Sequence, residues 1–255
     1  MHEPRGRYVP LSAPRRFVID LIHFARKVPS VPVSRMVDIG PLRGARAAHP
    51  SRPSWQVVFM KAFAAVAADH PSLRRALLSF PDARLYEHPQ SICALALERR
   101  LDGEDVIVVG LFRAPERQSL AELQAALDRY KDQPMDEVGF FRQALRFSRI
   151  PRPLRRLMWW ITLNVSGHKR AKRFGTFGLT SYGALGAESL HPISPLTCTL
   201  TFGPIDPAGR VSLKLIYDHR VMDGSFVARR LADIEAELRG PILDELRRGF
   251  GVAAA

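Results

Sequence analysis

The chain has 255 residues, 46% of them hydrophobic, and 38 basic against 25 acidic side chains give a net charge of +13. That balance excludes a disordered polymer and is long enough to bury a sizeable core. Cys93 and Cys198 lie in apolar runs with no CxxC and no histidine at ligand spacing, which excludes a disulfide framework and leads us to expect a reducing, cytoplasmic setting.

Met1 to Pro14 reads as an irregular arm, rich in Pro and Arg and without the apolar run of a secretory leader. Phe17, Leu21, Phe24 and Val28 then mark an amphipathic helix that ends before Pro29. Val31 to Ile39 is a predicted strand closed by Gly40-Pro41, and Arg43 to Ser54 a predicted loop. From Trp55 to Ala68 the run is apolar almost all round, as in a helix buried on most sides, and His70-Pro71 ends it. Ile92 to Arg99 and Asp105 to Phe112 form a hairpin across Leu101-Asp102-Gly103-Glu104. Leu120, Leu123, Leu127 and Tyr130 give a surface helix. Leu196 to Phe202 is a further strand, followed by a turn at Asp206 to Gly209 and a strand whose faces alternate from Val211 to Tyr217. The chain then reverses through Asp218 to Gly224, with Gly224 as the permissive turn residue, and Ser225 is placed to cap a helix carrying Val227, Leu231, Ile234 and Leu238. Gly240-Pro241 is the predicted stop. Strands and helices mixed in this way point to an α+β layer.

Charge is unevenly spread. No acidic residue occurs between Glu137 and Glu188, where ten cations run from Arg142 through Arg146, Arg149, Arg152, Arg155 and Arg156 to Lys169, Arg170, Lys172 and Arg173. Inside this block Leu154, Leu157, Met158, Ile161 and Val165 fall on one helical face, widened by Trp159 and Trp160. Such a face packs into a core, lies on an anionic membrane surface, or walls an acyl site. Phe and Trp among the arginines also suit nucleic acid, but no recognised binding module accompanies them and that partner is not expected. The remaining histidines are scattered without metal-ligand spacing, so no metal is expected.

Two segments carry chemistry. His219-x-x-x-Asp223-Gly224, flanked by Asp218 and Arg220, puts an imidazole just past a strand and just before a helix. Upstream lies Gly175-Thr-Phe-Gly-Leu-Thr-Ser-Tyr-Gly183. Together, and in this order from about Arg15 to Arg239, they resemble the catalytic domain of the dihydrolipoamide acyltransferases of 2-oxo acid dehydrogenase complexes, and more distantly chloramphenicol acetyltransferase. The resemblance implies a chloramphenicol acetyltransferase-like two-layer α+β fold with a mixed β-sheet. It places a single catalytic domain at residues 15–255 behind an arm at 1–14, with a basic amphipathic insertion at about 142–173.

An acyl transfer needs a base for the attacking group and a donor for the oxyanion. Imidazole titrates near neutrality and suits the first role. The resemblance implies that His219 is the base and that Asp223 is mainly structural, held by an arginine of the first helix, Arg15 or Arg16. The family's oxyanion serine falls on Thr180, with Ser181 next to it as the alternative. It also implies coenzyme A as the acyl carrier, for whose phosphates Lys172 and Arg173 are candidates, and a homotrimer or a higher assembly of trimers in which His219 of one copy faces Thr180 of its neighbour. We expect no lipoyl segment ahead of the motifs, and with it an acceptor that is a thiol, hydroxyl or amine rather than lipoamide by default. The competing reading is a catalytically silent core or assembly subunit of a larger complex.

Overall fold

The first helix begins where the Ser12 hydroxyl accepts the Arg15 N–H, giving α1 (Ala13–Ala25) in a computed structural model that describes residues 6–135 and 137–248. Residues 1–5 of the expected arm lie outside the described residues. There follow β1 (Ser30–Asp38), α2 (Gly40–Ala48), α3 (Trp55–Asp69), β2 (Arg75–Leu78), β3 (Arg84–Glu87), β4 (Ile92–Leu101), β5 (Glu104–Arg113) and α4 (Leu120–Asp132). The insertion is α5 (Gly139–Ser148), α6 (Arg152–Asn164) and α7 (Gly167–Phe174). The chain closes with β6 (Phe177–Thr180), β7 (Cys198–Phe202), β8 (Arg210–Asp218), α8 (Gly224–Glu237) and α9 (Leu243–Arg248).

Six strands make one mixed sheet in the order β1-β8-β7-β6-β4-β5, and β2 and β3 form a separate hairpin. β6 runs parallel to both β4 and β7, and the other neighbours are antiparallel. Pro32 is tolerated because β1 is an edge strand. The β4–β5 turn has Asp102 at φ 51° and Gly103 at φ 82°, the left-handed pair that matches strand twist.

One face of this sheet holds the main core. Tyr217, Leu215 and Leu213 of β8, Leu200 of β7 and Leu179 of β6 are buried together with the inner residues of α3, α4, α8 and α9. Phe63 meets Phe177 at 4.3 Å and Phe59 meets Phe202 at 4.4 Å between ring centres, so α3 lies directly on the sheet. On the far face the Lys214 ammonium pairs with Glu188 at 2.6 Å, drawing the 183–196 segment across β8.

Three local expectations differ from the structure. Gly40-Pro41 closes β1 but also opens α2, because Pro is preorganised for a first helical turn and Arg and Ala follow it; this part of the expected loop is helix. The last long helix has Asp223 rather than Ser225 at its N-cap position, and that carboxylate makes no capping bond. It also does not stop at Gly240-Pro241: a π turn over Leu238–Ile242 absorbs the proline and hands the chain to α9.

The insertion is anchored to α1. Asp20 is fully buried and pairs with Arg155, whose guanidinium also donates to the Ser148 and Ile150 carbonyls at 3.2 and 3.0 Å, and with Arg156 at 3.5 Å. Trp159 stacks on Phe24 at 5.6 Å and lies 4.6 Å from Phe174. The two neighbouring tryptophans therefore part: Trp159 is core, whereas Trp160, Leu154, Leu157 and Ile161 are exposed along the opposite side of α6.

Candidate active site

β8 ends at Asp218, a carboxylate 2% exposed that fixes the loop after it. Its two oxygens accept the Arg220 guanidinium at 2.9 and 2.7 Å, and the Arg220 N–H donates to the same group at 3.1 Å. A bidentate charge-assisted pair of this kind sets orientation as well as energy. Its backbone N–H is held by the Thr197 carbonyl on one side, and the next N–H, that of His219, by the Pro29 carbonyl at 3.2 Å on the other. The His219 ring consequently stands at the sheet end, about half exposed, 5.5 Å from the Tyr217 ring.

Asp223 is 85% exposed, with its Oδ1 3.9 Å from the His219 Nδ1. The arginine expected to hold it is elsewhere: Arg15 pairs with Glu104 at 3.4 Å, and Arg16 has no described acidic partner. Neither candidate ion pair forms within the chain; α1 carries the Arg15 side chain to Glu104 at the start of β5 instead. Gly224 also has a different reason from the one expected. It needs no left-handed backbone; a Cβ there would meet the Tyr217 hydroxyl at 3.1 Å.

Behind this loop lies a residue whose role the sequence did not reveal. Arg170 is buried and donates to the Leu77, Leu163 and Pro195 carbonyls at 2.9, 3.1 and 2.8 Å. Burial lowers its pKa to about 10, and the Asp218 charge counteracts that fall. The available signal was the spacing Gly167, Arg170, Ala171, Phe174, a helical stripe in which one cation replaces an apolar residue.

Thr180 and Ser181 sit at the other end of the sheet. Thr180 is level with Thr201 of β7, which is level with Lys214 of β8. His219 is five residues beyond Lys214, so the two groups are separated by roughly 17 Å along the strand direction alone. Ser181 is committed: its hydroxyl donates to the Phe202 carbonyl at 2.9 Å and accepts the Gly183 N–H at 3.1 Å. Thr180 has no such bond, and it faces a cleft of about 820 Å³ shared with Trp55, Glu98, Tyr182 and Leu185. Gly183 is required by backbone packing, since a Cβ there would lie 2.6 Å from the Gly203 carbonyl oxygen. We expect Ser181→Ala to lower unfolding free energy by about 1–3 kcal/mol and Thr180→Val to leave it within about 1 kcal/mol, as read by denaturant titration.

Lys172 and Arg173 belong to neither place. Both are exposed on α7 and line a separate cleft at the β5 edge of the sheet, four strands from β8. Among the described residues no cluster of three metal-ligating side chains occurs.

No family model and no curated protein matches this chain in sequence. Solved structures do match. The dihydrolipoamide acetyltransferase of Azotobacter vinelandii, whose catalytic mechanism was studied at a serine, a histidine and an asparagine, aligns with TM-score 0.69 at 18% identity over 94% of each chain. The cubic core of a pyruvate dehydrogenase multienzyme complex aligns with TM-score 0.67 at 19% identity over 94% of each. A probable dihydrolipoamide acetyltransferase from Listeria monocytogenes aligns with TM-score 0.65 at 17% identity, over 92% of this chain and 94% of the other. The chain therefore has the two-layer α+β fold of these acyltransferase cores, along nearly its whole length.

Proposed function

We propose that this protein is an acyltransferase that moves an acyl group between coenzyme A and a thiol, hydroxyl or amine acceptor, at a site made by two copies of the chain. The observation that carries the reading is the placement of a half-exposed histidine and an uncommitted threonine hydroxyl at opposite ends of one sheet of an acyltransferase fold. His219 takes the proton of the acceptor, whose heteroatom attacks the thioester carbonyl. The tetrahedral oxyanion accepts the Thr180 hydroxyl of a neighbouring copy. Collapse breaks the carbon–sulfur bond, and the departing coenzyme A thiolate receives the proton from the imidazolium. A closed homotrimer, alone or in a larger assembly, is the arrangement that repeats such a heterologous contact without leaving an open edge.

The test is a mass-spectrometric screen of an acyl-CoA panel against thiols, alcohols and amines. Acylated product with release of free coenzyme A is expected for the native protein. A correctly assembled protein that acylates nothing across the panel supports the silent-subunit reading instead.

Contact with an anionic membrane is proposed for α6 on one observation, the exposed row of Leu154, Leu157, Trp160 and Ile161, with Phe80 edge-on to Trp160 at 5.8 Å. Interfacial binding rewards that combination of aromatic and aliphatic side chains. The expected result is sedimentation with anionic vesicles at low salt and release at high salt. Trp160→Ala weakens this binding, whereas Trp159→Ala acts on stability because that ring is core. Absence of vesicle association at low ionic strength overturns the proposal.

A further inference from the structure

The cleft at the β5 edge carries more cations than packing requires. Arg113, His168, Lys169, Lys172 and Arg173 line about 610 Å³ of space together with Leu111, Tyr130 and Gln143, and no acidic side chain shares it. None of its arginines and lysines is paired with a described carboxylate. His88, immediately beside this group, has its pKa lowered by burial first, and the charges of His168, Arg74 and Arg113 add to the effect. The local field is therefore positive and uncompensated.

An apolar pocket of about 70 Å³ adjoins the cleft, with Gln143 and Arg173 lining both. Its wall is Phe17, Phe147, Met158, Trp159 and Phe174, contributed by α1, α5, α6 and α7. A cavity of about 150 Å³ holds a benzene, so this one suits a chain of a few carbons rather than a long lipid tail. An anion-binding mouth leading to a small apolar chamber is complementary to one chemical class.

We propose that the insertion forms a second binding site, for a small amphiphilic anion: Arg113, Lys169, Lys172 and Arg173 hold a phosphate or carboxylate head, and the α1–α5–α6–α7 pocket holds a short alkyl tail. The site lies four strands from His219 in the same chain, at about 4.8 Å per strand, and does not depend on the acyl-transfer reading. Guanidinium groups recognise such heads through paired donors, which Lys172 and Lys169 supplement as point charges.

Isothermal titration of the intact protein with hexyl phosphate, hexanoate and inorganic phosphate tests this directly. The pocket takes the first carbons of the tail and the rest projects out; each buried methylene is worth a factor of about four, so with about two buried the preferred hexyl ligand should bind more than about tenfold tighter than inorganic phosphate. The hexyl phosphate and hexanoate arms decide which head the site takes. Lys172→Ala with Arg173→Ala should weaken the preferred ligand at least about tenfold, and both residues are exposed, so folding is retained. Ala144→Phe, which fills the pocket from α5, should remove the advantage of the tail and leave inorganic phosphate binding unchanged. Hexyl ligands that bind no tighter than inorganic phosphate overturn the proposal. So does a tail advantage that survives Ala144→Phe in a protein of unchanged melting temperature.

Discussion

His219→Ala should lower kcat/KM for acyl transfer by about 10² to 10⁴ and leave the melting temperature unchanged. The loss follows because the step that makes the nucleophile then has no base at the sheet end. The fold survives because the loop is not held by the imidazole. Asp218 and Arg220 close it through a bidentate pair, and the bond from the His219 N–H to the Pro29 carbonyl is made by backbone, which alanine keeps. Thioester-exchange rates and thermal melts read the two halves separately. A His219→Ala protein of full activity would remove His219 as base.

Asp20→Ala should have the largest effect on stability of any single change described here. Asp20 is fully buried, and its partner Arg155 has a side chain only 5% exposed. Removing the carboxylate leaves a guanidinium in the interior with two carbonyls and no counter-charge, a loss of about 3–5 kcal/mol. At about 2–4 °C per kcal/mol for a chain of this size, the melting temperature falls by roughly 10 °C. Pairing it with Arg155→Met should recover much of the loss, since the uncompensated charge is then gone. A single variant within about 0.5 kcal/mol of the native protein would mean that the insertion is not anchored at this pair.

The elements with a clear period were legible in the sequence: the alternation of β8, the Asp102-Gly103 hairpin, the apolar α3 and the stripe of α8. What stayed hidden was set by tertiary context. α2 reads as a loop because its Gly, Pro and Arg composition gives no apolar period, and it becomes a helix by laying Leu42 into the core. α6 carries one apolar face by period, yet Leu154, Leu157 and Ile161 of that face are exposed and the helix is buried through Arg155, Trp159, Thr162 and Leu163; the choice of Trp159 over Trp160 depends on Phe24 and Phe174, which other helices supply. At the site, His219 and Thr180 were legible as groups because their motifs name them. The resemblance implies that the two act from different copies; their separation within one chain follows from β6 and β8 pointing their C-terminal ends in opposite directions. The partner of Asp223 was not legible: the resemblance points to an arginine of the first helix, and only the fold shows that the Arg15 side chain meets Glu104 instead. Arg170 was lost among neighbouring cations that are mostly exposed.

A shared site requires His219 and Thr180 to act from different copies of the chain, and subunit mixing measures that directly. His219→Ala and Thr180→Val chains are each expected to be inactive alone as purified assemblies. Co-assembled in equal amounts, a wild-type site forms wherever a chain with intact His219 meets one with intact Thr180, so about a quarter of the wild-type rate should return. No recovery in a verified mixed assembly, or full activity in a monomer, would contradict the shared site.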